Sequence, residues 1–188
     1  MNGRSIFKLT KPILSAFYYL TLVAPAFIFR WCWPLLDLLP SYFGVAMRYV
    51  FARRLFKSVG DNLYIARSVT IKNWSNVVVG NNVSIHEGSY IDGAGGILLG
   101  NNVSIAHHSS LISFEHTWED ENLPIKYNPT ITKNINIHDD VWIGCGVRIL
   151  AGSIVKSRSV VGAGSVLKGE VDSNCIFAGV PARRVKSI

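Results

Sequence analysis

Acidic residues are scarce at one end of this 188-residue chain. The first 58 residues contain Asp37 as their single carboxylate against eight lysines and arginines, whereas residues 59–188 hold eleven groups of each sign, so the formal charge of +7 belongs wholly to the N-terminal segment. A nucleic-acid-binding face spreads its cations over a solvated surface; here they bracket long apolar runs, and no nucleic-acid partner is expected. Cysteine is also sparse. Cys32, Cys145 and Cys175 are odd in number and lack C-x-x-C spacing, which argues against a disulfide framework or a zinc knot and points to a reducing compartment. With 16% charged and 49% hydrophobic residues, the chain has apolar surface enough for the core of one or two domains.

Much of that apolar character lies in residues 1–58. Pro12 to Phe29 runs eighteen residues without a charge, and after Arg30 the stretch WCWPLLDLLPSYFGVAM carries only Asp37. Basic groups flanking apolar runs suit a membrane surface. A cleaved signal peptide is a weaker reading, since the apolar character continues past Ala24-Pro25-Ala26; a buried helical cap on the second domain is another. Eighteen residues of helix reach about 27 Å, short of a hydrocarbon core of about 30 Å, and Pro25 favours a kink. Cationic clusters at both ends, the second being Arg48, Arg53, Arg54 and Lys57, prefer the same cytoplasmic side. The expectation is a re-entrant or interfacial helical pair turning near Arg30 to Pro34, with Trp31 and Trp33 at headgroup level. It would hold a domain over residues 59–188 against the inner leaflet, on the cytoplasmic face of the cell membrane.

From about residue 64 the chain counts in sixes. The run IHDDVW, IGCGVR, ILAGSI, VKSRSV, VGAGSV, LKGEVD places Ile137, Ile143, Ile149, Val155, Val161 and Leu167 in one column. Ile65 and Ile71, then Val79, Ile85, Ile91 and Ile97, then Leu99, Ile105 and Leu111 follow the same rule, with slips near Asn76 and at Leu98. Six residues suit one short strand and one tight corner, so stacked steps give a parallel β-helix with the aliphatic column inward and Gly, Asn, Asp and Ser at the corners. GNN at 80–82 and 100–102 fits such corners, because Gly and Asn tolerate positive φ.

The stretch VWIGCGVRILAGSIVKSRSVVGAGSV, followed by FAGVPARRVK, resembles the C-terminal half of galactoside, maltose and polysaccharide O-acetyltransferases, members of the hexapeptide-repeat acyltransferase family. The resemblance covers roughly residues 60–186. It implies a left-handed parallel β-helix, mainly β in class, preceded here by the N-terminal apolar helical segment; it also implies a homotrimer and acetyl-CoA as acyl donor.

The count breaks between Leu111 and Ile137, where twenty-five residues stand in place of five. The excess must leave the coil as a loop, residues 112–136, and long loops in compact domains are usually functional or disordered. Phe114, Trp118, Leu123, Ile125 and Tyr127 are available as anchors, and Pro124 and Pro129 restrict its freedom. In the family such a loop helps to build a cleft between subunits and a histidine beside it is the catalytic base, a place taken here by His116. The flanking residues are Glu115 and Thr117, where the galactoside-type pattern has glycine and proline. An imidazole with an ordinary pKa near 6.5 can take a hydroxyl proton and pass it to a departing thiolate.

The resemblance further implies that the pantetheine arm follows corner positions matching Cys145 and Ala163 and passes near Lys168, with the nucleotide end met by Arg183 and Lys186. His86, Glu115, Trp118 and Trp142 are candidates for the substrate cleft; Trp142 serves equally well to brace a neighbouring subunit. His86, His107, His108 and His138 at corners invite comparison with trimeric carbonic anhydrases of the same fold, but the acyltransferase signature has no role there, and no metal is expected. The resulting expectation is an acetyl-CoA-dependent O-acetyltransferase acting on a sugar hydroxyl, its saccharide acceptor lipid-linked, in cell-surface polysaccharide biosynthesis. N-acetylation of an amino-sugar nucleotide, antibiotic acetylation and a non-catalytic scaffold at the membrane stand as alternatives.

Overall fold

The computed structural model describes residues 3–188. From Ser58 onward the chain winds as a parallel β-helix with three flat faces. Face 1 stacks Ser58–Val59, Val77–Val79, Ile97–Leu99, Ile135–Ile137, Ile154–Val155 and Glu170–Val171. Face 2 stacks Tyr64–Ile65, Ser84–Ile85, Ser104–Ile105, Val141–Ile143, Ser159–Val161 and Cys175–Gly179, and ends with Ala182–Ser187 folded back antiparallel. Face 3 stacks Thr70–Lys72, Tyr90–Asp92, Ser110–Ile112, Arg148–Ile149 and Val166–Leu167.

The aliphatic column points inward as its spacing requires: Ile85, Ile105, Leu111, Ile137, Ile143, Ile149, Val155 and Val161 are all fully buried. Each sits above its counterpart one turn away, so a single methyl-lined stack fills the coil. Two turn lengths coexist. Ile65 pairs with Ile85 and Ile85 with Ile105, giving 20 residues per turn, whereas Ile143 pairs with Val161, giving 18. Both expected slips fall on one corner, between faces 3 and 1, where Val77 and Val79, and then Ile97 and Leu99, both turn inward from a three-residue strand.

The GNN corners also behave as their composition requires. Asn82 and Asn102 both take φ 57°, and the Asn101 Oδ1 accepts the backbone N–H of Asn81 at 2.9 Å, repeating one turn up as Asp139 Oδ1 accepting from Asn101 at 2.7 Å. Gly80 cannot be replaced here, because a Cβ would lie 2.7 Å from the Gly100 carbonyl oxygen.

The N-terminal segment forms α1 (Gly3–Thr21), α2 (Ala26–Cys32), a 3₁₀ stretch (Trp33–Leu38) and α3 (Ser41–Leu55). Among the described residues no single helix is long and apolar enough to cross a membrane; α1 and the stretch Ala26–Leu38 form a bent pair at 115°. The bend lies between Thr21 and Ala26, not near Arg30 to Pro34, because Pro25 has no N–H to continue α1 and instead precedes the first residue of α2. The buried-cap reading of this segment describes α3. The outer sides of α1 and α2 expose Leu9, Ile13, Phe17, Leu20, Phe27 and Trp31, whereas α3 buries Tyr49, Val50, Ala52 and Leu55 in the same core as the coil.

That cap solves a problem specific to the first turn. In later turns the carbonyl at the end of each face 2 strand accepts an N–H from the turn below: Ile85 from Ala66, and Ile105 from His86, both at 2.9 Å. Ile65 has no turn below it, and its carbonyl accepts Arg48 Nε at 2.7 Å, while Arg48 Nη1 also donates to the Leu36 carbonyl at 2.9 Å. Val69 is served likewise by the Trp33 indole N–H at 3.0 Å. Two side chains thus stand in for a missing rung. Arg48 and Trp33 are therefore buried rather than lying at a membrane surface, and desolvation lowers the Arg48 pKa from its ordinary value. Arg53 is likewise engaged, its guanidinium 4.2 Å from the centre of the Tyr18 ring.

Candidate active site

The loop leaves and rejoins the coil at the corner between faces 3 and 1, the corner already lengthened in the two turns beneath. Its two stems pair as an antiparallel ribbon, Phe114–His116 against Thr130–Thr132, with His116 opposite Thr130. The far end of the excursion is ordered around Asn128. Asn128 is buried at 4% exposure; its Oδ1 accepts the Asp120 N–H at 3.0 Å and its Nδ2 donates to the carbonyls of Asp120 and Leu123 at 3.1 and 3.2 Å. Of the aromatic and aliphatic residues expected to anchor the loop, Trp118, Leu123, Ile125 and Tyr127 instead face solvent.

At the base of the ribbon Glu115 and Lys168 meet, with Lys168 Nζ 3.0 Å from Glu115 Oε1 and 3.1 Å from Oε2. Lys168 stands on the same corner two coil strands above the loop exit, so the pair ties the ribbon to the coil. The sequence names both residues without suggesting the contact, which spans 53 positions. His116 lies beside this tie. Its side chain is exposed, its ring centre is 6.0 Å from that of Phe114, and its imidazole has no hydrogen-bond partner among the described residues.

A second group of expected residues stacks at the corner between faces 2 and 3. The Cys145 carbonyl accepts the Gly164 N–H at 2.8 Å, and a Cβ on Gly144 would come within 2.6 Å of the Ala163 nitrogen. Only small residues permit that approach, and they leave a shallow backbone-lined track along the corner. His86 occupies the same corner lower down, its ring 5.4 Å from that of Tyr64 and its Nδ1 3.9 Å from Glu87 Oε2.

The third group lies on face 2. Trp142 is 56% exposed and begins an outward row in which it pairs with Val160, Val160 with Ile176, and Ile176 with Lys186. Arg183 stands opposite Ala178 on the same final ribbon. Face 3 therefore separates His116, Glu115 and Lys168 on one edge from Cys145, Ala163 and His86 on the other, and Trp118 stands out on the loop away from both. No group of three or more His, Cys, Asp or Glu side chains able to hold a metal occurs among the described residues.

The coil is shared with known proteins. A family model described as bacterial transferase hexapeptide (six repeats) matches residues 134–169. Galactoside O-acetyltransferase of Escherichia coli K12 is 30% identical over 144 residues, which is 77% of this chain and 70% of that protein. An Escherichia coli K12 protein provisionally named a lipopolysaccharide biosynthesis O-acetyl transferase is 36% identical over 76 residues, 39% of each chain. A hexapeptide-repeat-containing acetyltransferase from Vibrio cholerae, solved with acetyl-CoA, superposes with a TM-score of 0.74 at 27% identity, covering 85% of this chain and 87% of that one. Several matches are shorter, spanning only 26% to 39% of the relatives concerned. With the repeat, the three-faced coil and the long match to the galactoside enzyme together, the chain belongs to the hexapeptide-repeat acetyltransferase family.

Proposed function

We propose that the protein is an acetyl-CoA-dependent O-acetyltransferase acting on a saccharide hydroxyl, with His116 as general base. The carrying observation is the placement of His116: a free imidazole at the end of a ribbon that Glu115 and Lys168 pin to the coil. In this reading the acceptor oxygen attacks the thioester carbonyl as its proton passes to His116, and collapse of the tetrahedral intermediate breaks the carbon–sulfur bond while the imidazolium returns the proton to the coenzyme thiolate.

The acetyl-CoA bound to the Vibrio cholerae relative supports the donor. The small-residue track at Cys145 and Ala163 suits a pantetheine arm, Lys168 borders the catalytic edge, and Arg183 and Lys186 supply charge for phosphates at the coil's upper end. Because face 3 divides the track from His116 within one chain, a complete cleft draws its two walls from adjacent copies, which supports a homotrimer. The galactoside and lipopolysaccharide relatives support a sugar acceptor. The exposed apolar sides of α1 and α2 support attachment to the cytoplasmic face of the membrane, where a lipid-linked acceptor in polysaccharide assembly would meet the coenzyme.

The test is His116→Ala. Acetyl transfer to a saccharide at saturating acetyl-CoA should fall by about 10²–10⁴ while acetyl-CoA affinity holds. Near-normal turnover would remove His116 from the mechanism.

A further inference from the structure

A cleft of about 400 Å³ opens at the foot of face 3, below the catalytic edge, between α2 and the first turn of the coil. Arg30 lines one side and Lys72 the other, above a floor formed by Trp33 and Trp74, whose rings pack edge to face at 4.7 Å. Neither cation has a carboxylate partner among the described residues; Lys72 Nζ lies 5.6 Å from the centre of the Tyr90 ring. The one acid on the rim, Asp37, is already engaged. Its Oδ2 accepts the Ser68 N–H at 2.9 Å and its Oδ1 lies 3.7 Å from Arg48. A cleft with two unmatched cations and an occupied carboxylate calls for an anion.

Its surroundings say what kind of molecule carries that anion. Phe27 and Trp31, packed ring to ring at 5.6 Å beside Arg30 on α2, are 53% and 77% exposed, an apolar surface on the helix that carries one of the two cations. On the other side face 3 rises toward the catalytic edge. Lys72 pairs with Asp92, the Asp92 carbonyl accepts the Ser113 N–H at 3.1 Å, and Ser113 immediately precedes the ribbon that bears His116. Two strand spacings, about 10 Å, separate the cleft from the ribbon's base. Hydrocarbon surface, cations, then a polar face ending at the base form one path.

We propose that this cleft binds the phosphate or diphosphate that joins a hydrocarbon chain to the saccharide acceptor, so that the chain lies along α2 and the sugar extends over face 3. The proposal rests on the reading of the protein as a saccharide acetyltransferase. It goes further in giving the acceptor's linker a site, in which Arg30 and Lys72 are binding residues and not catalytic ones.

The test reads binding without turnover, on the full-length protein in detergent, with farnesyl diphosphate as probe and farnesol as its uncharged control. The wild type should bind the diphosphate more tightly than the alcohol. The double variant Arg30→Ala, Lys72→Ala should weaken diphosphate binding by roughly tenfold or more while leaving farnesol and acetyl-CoA binding unchanged; retained acetyl-CoA binding shows that the variant is folded. Equal wild-type binding of diphosphate and alcohol overturns the site, as does a double variant that still prefers the diphosphate. Phosphatidylglycerol vesicles present the other source of lipid phosphate: displacement of the probe by these vesicles, with the same dependence on Arg30 and Lys72, would make the cleft a headgroup anchor and overturn the acceptor subsite. A wild type that acetylates no saccharide would overturn the proposed activity and is visible separately, since none of these binding measurements depends on it.

Discussion

Replacing Arg48 by Met tests whether the helical cap completes the coil. Methionine keeps most of the apolar stem that packs in α3 but removes the guanidinium, leaving the Ile65 carbonyl without the donor that now reaches it at 2.7 Å, whereas the Leu36 carbonyl loses a donor at 2.9 Å but keeps the Leu39 N–H at 3.2 Å. A buried acceptor left unsatisfied costs about 1–3 kcal/mol, and donors that carry charge lie at the upper end. Relief of the desolvation that lowers the Arg48 pKa offsets part of this, so the net loss for one orphaned acceptor and one weakened one should be about 2 kcal/mol. In a chain of this size that corresponds to a fall in Tm of roughly 4–8 °C. Thermal unfolding and the urea midpoint at constant slope measure it. Arg54→Met supplies the contrast, because Arg54 Nε is buried without a partner and Nη2 reaches the Ala24 carbonyl only at 3.4 Å; its loss should be under about 1 kcal/mol. If Arg48→Met unfolded no more easily than Arg54→Met, the guanidinium would not be replacing a rung.

Gly88→Ala should destabilise by about 1–2 kcal/mol or more in the same assay, since residue 88 takes φ +66° and a Cβ there would meet His108 Nδ1 at 2.3 Å. Gly164→Ala, at φ +69° with nothing within 4 Å, should show the backbone cost alone, and equal losses would mean that His108 moves aside freely. Removal of residues 1–24 should weaken sedimentation with membranes, leaving α2 alone to attach, while the fragment keeps a cooperative unfolding transition, because Leu14 and Thr21 are the buried residues of α1; a fragment that pelleted as fully as the whole chain would shift the attachment away from α1.

The coil was legible because its information is local. An aliphatic residue every six positions sets the strand, the corner and the inward direction together, and even the slips near Asn76 and Leu98 mark the lengthened corner correctly. The loop was legible as an interruption of that count. What resisted reading is long-range. Arg48 looks like one of several cations beside an apolar stretch, and nothing in its neighbours reveals that it faces the open end of a β-helix. Lys168 and Glu115 lie 53 residues apart and meet only because corners stack. The turn of the helical pair falls before Ala26 and not at Arg30 to Pro34, because Pro25 interrupts the helical hydrogen bonds while the charge of Arg30 does not.

The excursion between Ile112 and Ile135 leaves the pairing around it untouched: Leu99 still lies beside Ile137 and Ile105 beside Ile143, as if the chain had passed straight through. The coil's register is therefore blind to whatever is inserted at that corner. A loop of another length or composition, spliced between Ile112 and Ile135, would meet the same two strand ends at the same spacing, so the excursion can be exchanged like a tool bit while the handle keeps its shape.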